Sequence, residues 1–224
     1  MVTYKLHLIR HGMTAGNRDG RYVGRTDLPI CPEGRAELQR LVAQYEYPAA
    51  QEIYCSPLLR CRETAELIYP DHPLTVVDGL VELSMGDFEG KRLTELKDKP
   101  EYRAWLADSM HNTPPGSLES GEGFAKRIAQ ALNSIFMNMS QNRISQAAVI
   151  THGGVIMGLL SAFAMPRLPL SRWAVSNGTG YTVSMSAQLW MRDNVIELIS
   201  AVPEGFTPGA DPRVMDSLGV SADD

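Results

Sequence analysis

Cysteine is scarce in this chain: 224 residues hold three, Cys31, Cys55 and Cys61. The count is odd and the spacing is not that of a zinc site, so reduced thiols in a cytoplasmic protein are expected rather than a disulfide framework. Long hydrophobic runs are also lacking. The longest, Gly153–Met165, has 13 residues, short of the ~20 needed to cross a bilayer. The first apolar stretch is interrupted by Lys5, His7 and Arg10, unlike a secretory signal. Excess basic charge is missing as well. The net charge of −5 argues against a general nucleic-acid binder. From Pro203 onward, five acids face Arg213 alone, a net of −4 that leaves about −1 for the rest. No internal repeat is visible.

What is present is a globular composition, 44% hydrophobic and 21% charged, of a length that favours one domain. Strand and helix patterns alternate. Strands are expected at Lys5–Ile9, Glu52–Cys55, Leu74–Val77, Ala147–Thr151, Tyr181–Met185 and Val195–Val202. Helices are expected at Glu33–Tyr45, with Pro32 at its start, and at Leu58–Tyr69. Phe124, Ile128, Ala131, Leu132, Ile135 and Met139 form the stripe of another helix, with Ser120 as its cap. Val155–Phe163 is apolar nearly all round and should be buried. The pattern implies a three-layer α/β/α sandwich around a mostly parallel sheet. Residues 1–202 are expected to form one domain with an irregular insertion at Val81–Gly116, followed by an acidic tail over 203–224.

Ligands of such a sheet bind beyond the carboxyl ends of its strands. Three strand ends carry chemistry: Arg10-His11-Gly12, Ser56-Pro57-Leu58-Leu59-Arg60 and Thr151-His152-Gly153-Gly154. The glycine pair opens a helix, where backbone N–H groups make an anion site. Two arginines and two histidines meeting at one edge suit phosphoryl transfer. Arginine forks onto phosphate oxygens, and its charge keeps a nearby histidine neutral enough to attack. A departing alkoxide needs an acid. Glu82 lies among apolar residues that raise its pKa, with Asp87 and Glu89 as neighbouring alternatives. Arg62 is expected at the surface, and His7 as a hydrogen-bonded core residue.

At these residues the sequence closely resembles the histidine phosphatase superfamily, the phosphoglycerate mutase-like proteins, from about Tyr4 to Val202. The opening Arg-His-Gly-x-Thr-x-x-Asn pattern is Arg10-His11-Gly12-Met13-Thr14-Ala15-Gly16-Asn17. A downstream pattern is met by Gly24, Asp27, Pro29, Ile30 and Gly34. Ser56-Pro57-Leu58-Leu59-Arg60-Cys61-Arg62-Glu63-Thr64-Ala65, then Glu82 before Met85-Gly86-Asp87-Phe88-Glu89-Gly90, and finally His152 complete it. Met13, Cys61 and Leu118 depart from the pattern, standing where an acid, an alanine and a glycine are usual; these changes bear on specificity.

The resemblance implies that His11 is the nucleophile and forms a phosphohistidine. Arg10, Arg60 and His152 would grip the phosphoryl group with help from Asn17, and Glu82 would protonate the leaving group and then activate water. It implies no metal and no cofactor, because arginines supply the positive charge. Arg21, Tyr22, Gly24 and Met85 are expected to shape the leaving-group pocket. The chain looks closer to the short phosphatases, such as those resembling α-ribazole phosphatase, than to the glycolytic mutases. A mutase must hold a second anion, and Lys91 and Arg92 are the only nearby cations. The expected substrate is a small phosphorylated metabolite, with neither nucleic acid nor membrane as partner. An isomerase of the mutase type and a non-catalytic phospholigand binder are the rival readings.

Overall fold

The computed structural model describes residues 3–206. Of the acidic tail expected over 203–224, residues 207–224 lie outside the described residues. The sheet has seven strands: β1 (Thr3–Arg10), β2 (Glu52–Cys55), β3 (Leu74–Val76), β4 (Gln146–Thr151), β5 (Ala164–Met165), β6 (Gly180–Ser186) and β7 (Ile196–Val202). Their order is β3-β2-β4-β1-β6-β7-β5. Pairing is parallel except where β6 meets β1 and β7.

Side chains alternate across the central strands, and each face buries against helices. On one face Leu6 and Leu8 of β1 and Ala147 and Val149 of β4 pack with α6 (Gly121–Asn142) and α7 (Gly153–Phe163). The residues between them, Ile9, Ala148 and Ile150, pack on the other face with Leu38 of α2 (Pro32–Gln44) and Cys61, Ala65 and Ile68 of α3 (Leu59–Ile68). Every residue of the expected α6 stripe is buried, and Ser120 caps that helix by accepting from the Gly123 N–H. The result is the mixed α/β fold with a mostly parallel sheet that the alternation implies.

The register sets the site. Arg10 pairs with Thr151, and Ile150 pairs with Cys55. His11, His152 and Ser56 therefore leave three adjacent strands at one level.

Over Val81–Gly116 the chain is more regular than its composition suggests. A short 3₁₀ turn (Gly86–Phe88) precedes α4 (Leu93–Leu96) and α5 (Pro100–Ala107). Pro100 opens α5, and Tyr102 and Trp105 fall on its buried side. These rings join Tyr22, Phe88 and Leu96 in a satellite core separate from the two that flank the sheet. After the four-residue α1 (Ala15–Arg18), a second helix that periodicity does not reveal is α8 (Ala187–Asp193), capped by Ser186.

Phe136 is 2% exposed and meets the Tyr4 ring edge-on, with centroids 5.4 Å apart. Phe136→Ala is expected to lower unfolding free energy by about 3–5 kcal/mol, measured by urea denaturation.

Candidate active site

The loop after β1 is pinned on several sides. The Gly12 N–H donates to Thr64 Oγ1 at 2.8 Å, and the Thr64 hydroxyl donates to the Arg60 carbonyl at 2.6 Å. The side-chain amide of Asn177 donates to the His11 carbonyl at 2.9 Å. His11 Nδ1 lies 2.8 Å from the Gly12 carbonyl. A carbonyl only accepts, so Nδ1 carries the hydrogen and Nε2 keeps its lone pair. Burial, and then the charges of Arg60 and Arg10, hold the His11 pKa well below the usual histidine value. The ring is neutral at neutral pH, with an available nucleophilic nitrogen.

Behind it lies a second imidazole. The His11 and His152 rings meet at 62° with centroids 5.2 Å apart. An Arg60 Nη2 donor lies 3.2 Å from His152 Nδ1, which makes that nitrogen the acceptor. His152 Nε2 then donates to Ser56 Oγ at 2.8 Å. Arg60 also donates to the carbonyls of Gly24 (2.7 Å) and Thr26 (2.9 Å), while its Nε is buried without a hydrogen-bond partner. Arg60 and His152 are both fully buried. Burial, Arg60 and His11 push the His152 pKa well below its ordinary value. Cys61 Sγ packs 3.6 Å from His152 Nε2, and burial pushes its thiol well above the usual range.

Glu82 sits opposite. One carboxyl oxygen accepts the Leu83 N–H at 2.8 Å and the other the Gly154 N–H at 2.9 Å. Gly154 lies in the first turn of α7, so the helix N-terminus that sequence reading reserves for a ligand anion already holds the protein's own carboxyl group. Burial raises the Glu82 pKa, against the pull of those two N–H donors and of Arg60 and Arg10. The Glu82 backbone is braced by a charge network. Arg25 donates to Glu119 at 2.7 Å, Arg127 donates to both Glu119 oxygens, and Arg127 also reaches the carbonyls of Gly79 and Val81. Burial alone would raise the Glu119 pKa, but its two arginines hold it below the carboxylate norm.

His11 and Glu82 open onto one cavity of about 570 Å³, which Arg10 and Asn17 also line. Asn17 Oδ1 is held by the Thr14 N–H and hydroxyl at 3.1 and 3.0 Å, so the Asn17 NH₂ is the group left to donate to a ligand. Arg60 and His152 form a floor behind His11 rather than a wall of the cavity.

Among the residues expected to shape the leaving-group pocket, Arg21, Tyr22 and Met85 line it. Gly24 does not. Its N–H lies 3.1 Å from the Glu89 oxygens, and a Cβ there would come within 2.3 Å of the Leu83 carbonyl. The glycine is required by close backbone approach. Neither alternative acid lines the cavity: Glu89 accepts from Gly24, Arg25 and Thr26, and Asp87 packs against Gly116. Arg62 is exposed. His7 is buried, with Nδ1 3.0 Å from Thr182 Oγ1, and burial followed by the Lys5 charge lowers its pKa to about 4. Sequence reading misses Asn177, whose only signal is a Ser-Asn-Gly run before β6, and the Arg25–Glu119–Arg127 network, which joins distant segments. Among the described residues no group of three or more His, Cys, Asp or Glu could hold a metal ion. No described helix is long and apolar enough to cross a membrane.

Two histidines and two arginines thus gather at the strand ends of this fold, facing a buried carboxyl group. The chain belongs to the histidine phosphatase superfamily (branch 1), whose model matches residues 6–193. It is 29% identical over 180 residues to the adenosylcobalamin/alpha-ribazole phosphatase of Escherichia coli (strain K12), covering 78% of this chain and 86% of that protein. It is 30% identical over 183 residues to a Proteus mirabilis (strain HI4320) protein named as a probable phosphoglycerate mutase, covering 77% and 83%. The alpha-ribazole phosphatase structure from Shigella flexneri superposes with a TM-score of 0.69 at 25% identity, covering 87% of this chain and 94% of that one.

A Cβ at Gly154 would fall 2.4 Å from Glu82 Oε1, and the carboxyl group would have to move. Gly154→Ala is expected to leave the melting temperature intact and to cut turnover of an aryl phosphate about 10²-fold.

Proposed function

We propose that this protein is a phosphatase that hydrolyses phosphate monoesters through a phosphohistidine on His11, with Glu82 as proton donor. The observation that carries this reading is one cavity lined by a neutral imidazole with a free Nε2 and by a carboxyl group of raised pKa. In the first step His11 Nε2 attacks phosphorus. The N–P bond forms, the P–O bond to the alcohol breaks, and the alcohol oxygen takes the Glu82 proton. In the second step the Glu82 carboxylate takes a proton from water while the water oxygen attacks phosphorus. The N–P bond breaks, phosphate leaves, and Glu82 is protonated again. Arg10 and the Asn17 amide would hold the phosphoryl oxygens from the cavity side. Arg60 supplies charge from beneath.

The mutase alternative requires a second anion clamp. Arg21 is the one remaining arginine on the cavity wall, and its guanidinium is turned to the Gly90 carbonyl (2.7 Å) and Glu95 (3.8 Å). Lys91 and Arg92 do not line the cavity. Hydrolysis is the better-supported outcome. The binder alternative gives no account of a carboxyl group of raised pKa beside the imidazole.

His11→Ala is expected to abolish release of phosphate from 4-nitrophenyl phosphate. Glu82→Gln should lose about 10²–10⁴-fold in turnover and accumulate an acid-labile phosphoenzyme. Wild-type rates from His11→Ala would end the proposed mechanism, and faster conversion of 3-phosphoglycerate to its isomer than to phosphate would favour the mutase.

The pH profile follows from the signs. Activity needs His11 unprotonated and Glu82 protonated. The His11 pKa is lowered, so kcat/KM should persist below the ordinary histidine value of about 6.5. The Glu82 pKa is raised, so the alkaline decline should begin above the ordinary carboxylate value of about 4.3. The residual activity of Glu82→Gln should lack that alkaline limb.

A further inference from the structure

The cavity wall beyond the phosphoryl site carries almost no charge. Apart from His11, its acidic and basic side chains are Glu82, Arg10 and Arg21, the last already engaged with Gly90 and Glu95. Small residues of α7 line the cavity at helical spacing, Gly154, Gly158, Ser161 and Ala162, and Gly158 lets Ile128 of α6 pack close against the helix. Around them stand Tyr22, Met85, Trp105, Phe124 and Ile128, with Met157 on α7 itself. The apolar lining then continues to the surface. Leu106, Met110 and Leu170 line the cavity and are also 41%, 47% and 45% exposed. An apolar channel thus runs from the His11–Glu82 pair to solvent. Large side chains exposed in this way mark a ligand surface when they are continuous with a pocket.

Resting on the phosphatase reading above, we infer that the leaving group is a bulky, uncharged, apolar alcohol, aliphatic or aromatic, and not a sugar or a carboxylate-bearing one. A second phosphate or a carboxylate on the leaving group would lie against methionine, leucine and aromatic carbon, and the one arginine on that wall, Arg21, is already engaged by Gly90 and Glu95. Its desolvation would oppose binding. An apolar group gains by leaving water, and the unbranched side chains of Met85, Met110 and Met157 adapt to its shape. The chemistry is shared by alkyl and aryl monoesters, and the cavity of about 570 Å³ accommodates either.

The test is a series of alkyl phosphates from ethyl to octyl, with phenyl and 1-naphthyl phosphates, ribose 5-phosphate and 3-phosphoglycerate, followed by phosphate release. Along the alkyl series kcat/KM is expected to rise up to about fourfold per methylene until the cavity is filled. Naphthyl should exceed phenyl, and the sugar and glycerate esters should rank below octyl. The alkyl series and the aryl pair separate aliphatic from aromatic leaving groups. Leu106→Glu, at the exposed mouth, should lower kcat/KM for octyl phosphate about tenfold more than for ethyl phosphate. Ser161→Trp, which fills the channel from α7, should shorten the chain length at which the rise stops. A flat alkyl series, or ribose 5-phosphate and 3-phosphoglycerate ranking first, would overturn this inference while leaving His11-dependent hydrolysis standing. No phosphate release from any ester would sink both readings.

Discussion

The site depends on a buried cation. Arg60 is wholly removed from solvent, and its hydrogen-bond partners are two backbone carbonyls and an imidazole nitrogen. None of the ion pairs among the described residues includes it. A guanidinium in such a place remains charged, and keeping it there without a carboxylate partner is costly. Much else follows from that position. It ties down the Gly24–Thr26 loop, sets the tautomer of His152, and leads the charges that keep His11 unprotonated. Fold stability alone would not select this arrangement. A site that must meet an anion would.

The scaffold holds that cation in register with its neighbours. Parallel pairing of β1, β2 and β4 brings three strand ends to one level, and α3 supplies both Arg60 and the threonine hydroxyl that fixes the loop beyond β1. The start of α7 grips Glu82 through Gly154, so the carboxyl group is placed by the same strand–helix junction that carries His152. Burial is the first influence on both ionisable groups: with Arg60 and Arg10 it lowers the His11 pKa, and against those same arginines it raises that of Glu82.

The central architecture was legible because burial on both faces writes continuous apolar strands and a clear α6 stripe into the sequence. Helices α2, α3, α6 and α7 begin or end within a few residues of the capping and periodicity signals. The segments that escaped are short or depend on distant partners. Helix α8 is only seven residues long, and its sole local mark is the Ser186 cap. Helices α4 and α5 read as irregular because their apolar residues serve a core completed by Tyr22, far away in sequence. At the site, His11, Glu82, Arg10 and Asn17 were found from motifs and do share a cavity. The supporting hydrogen bonds of Asn177 and Glu119 were not found, since polar side chains that brace a backbone leave no periodic trace. Gly24 was read as pocket lining, when its bare Cα serves a tight crossing of two loops.

The satellite core is distinct from the two that hold the sheet, and Leu83 packs against both it and the main core. It supplies Tyr22 and Trp105 to the cavity wall, whereas the histidines and arginines belong to the sheet edge. Part of the cavity wall thus rests on the satellite core, while Phe124, Ile128 and Met157 tie the rest of it to the main core. Exchanges among Tyr22, Met85 and Trp105 would then reshape that part of the wall while the strand ends that carry His11, Ser56 and His152 keep their register.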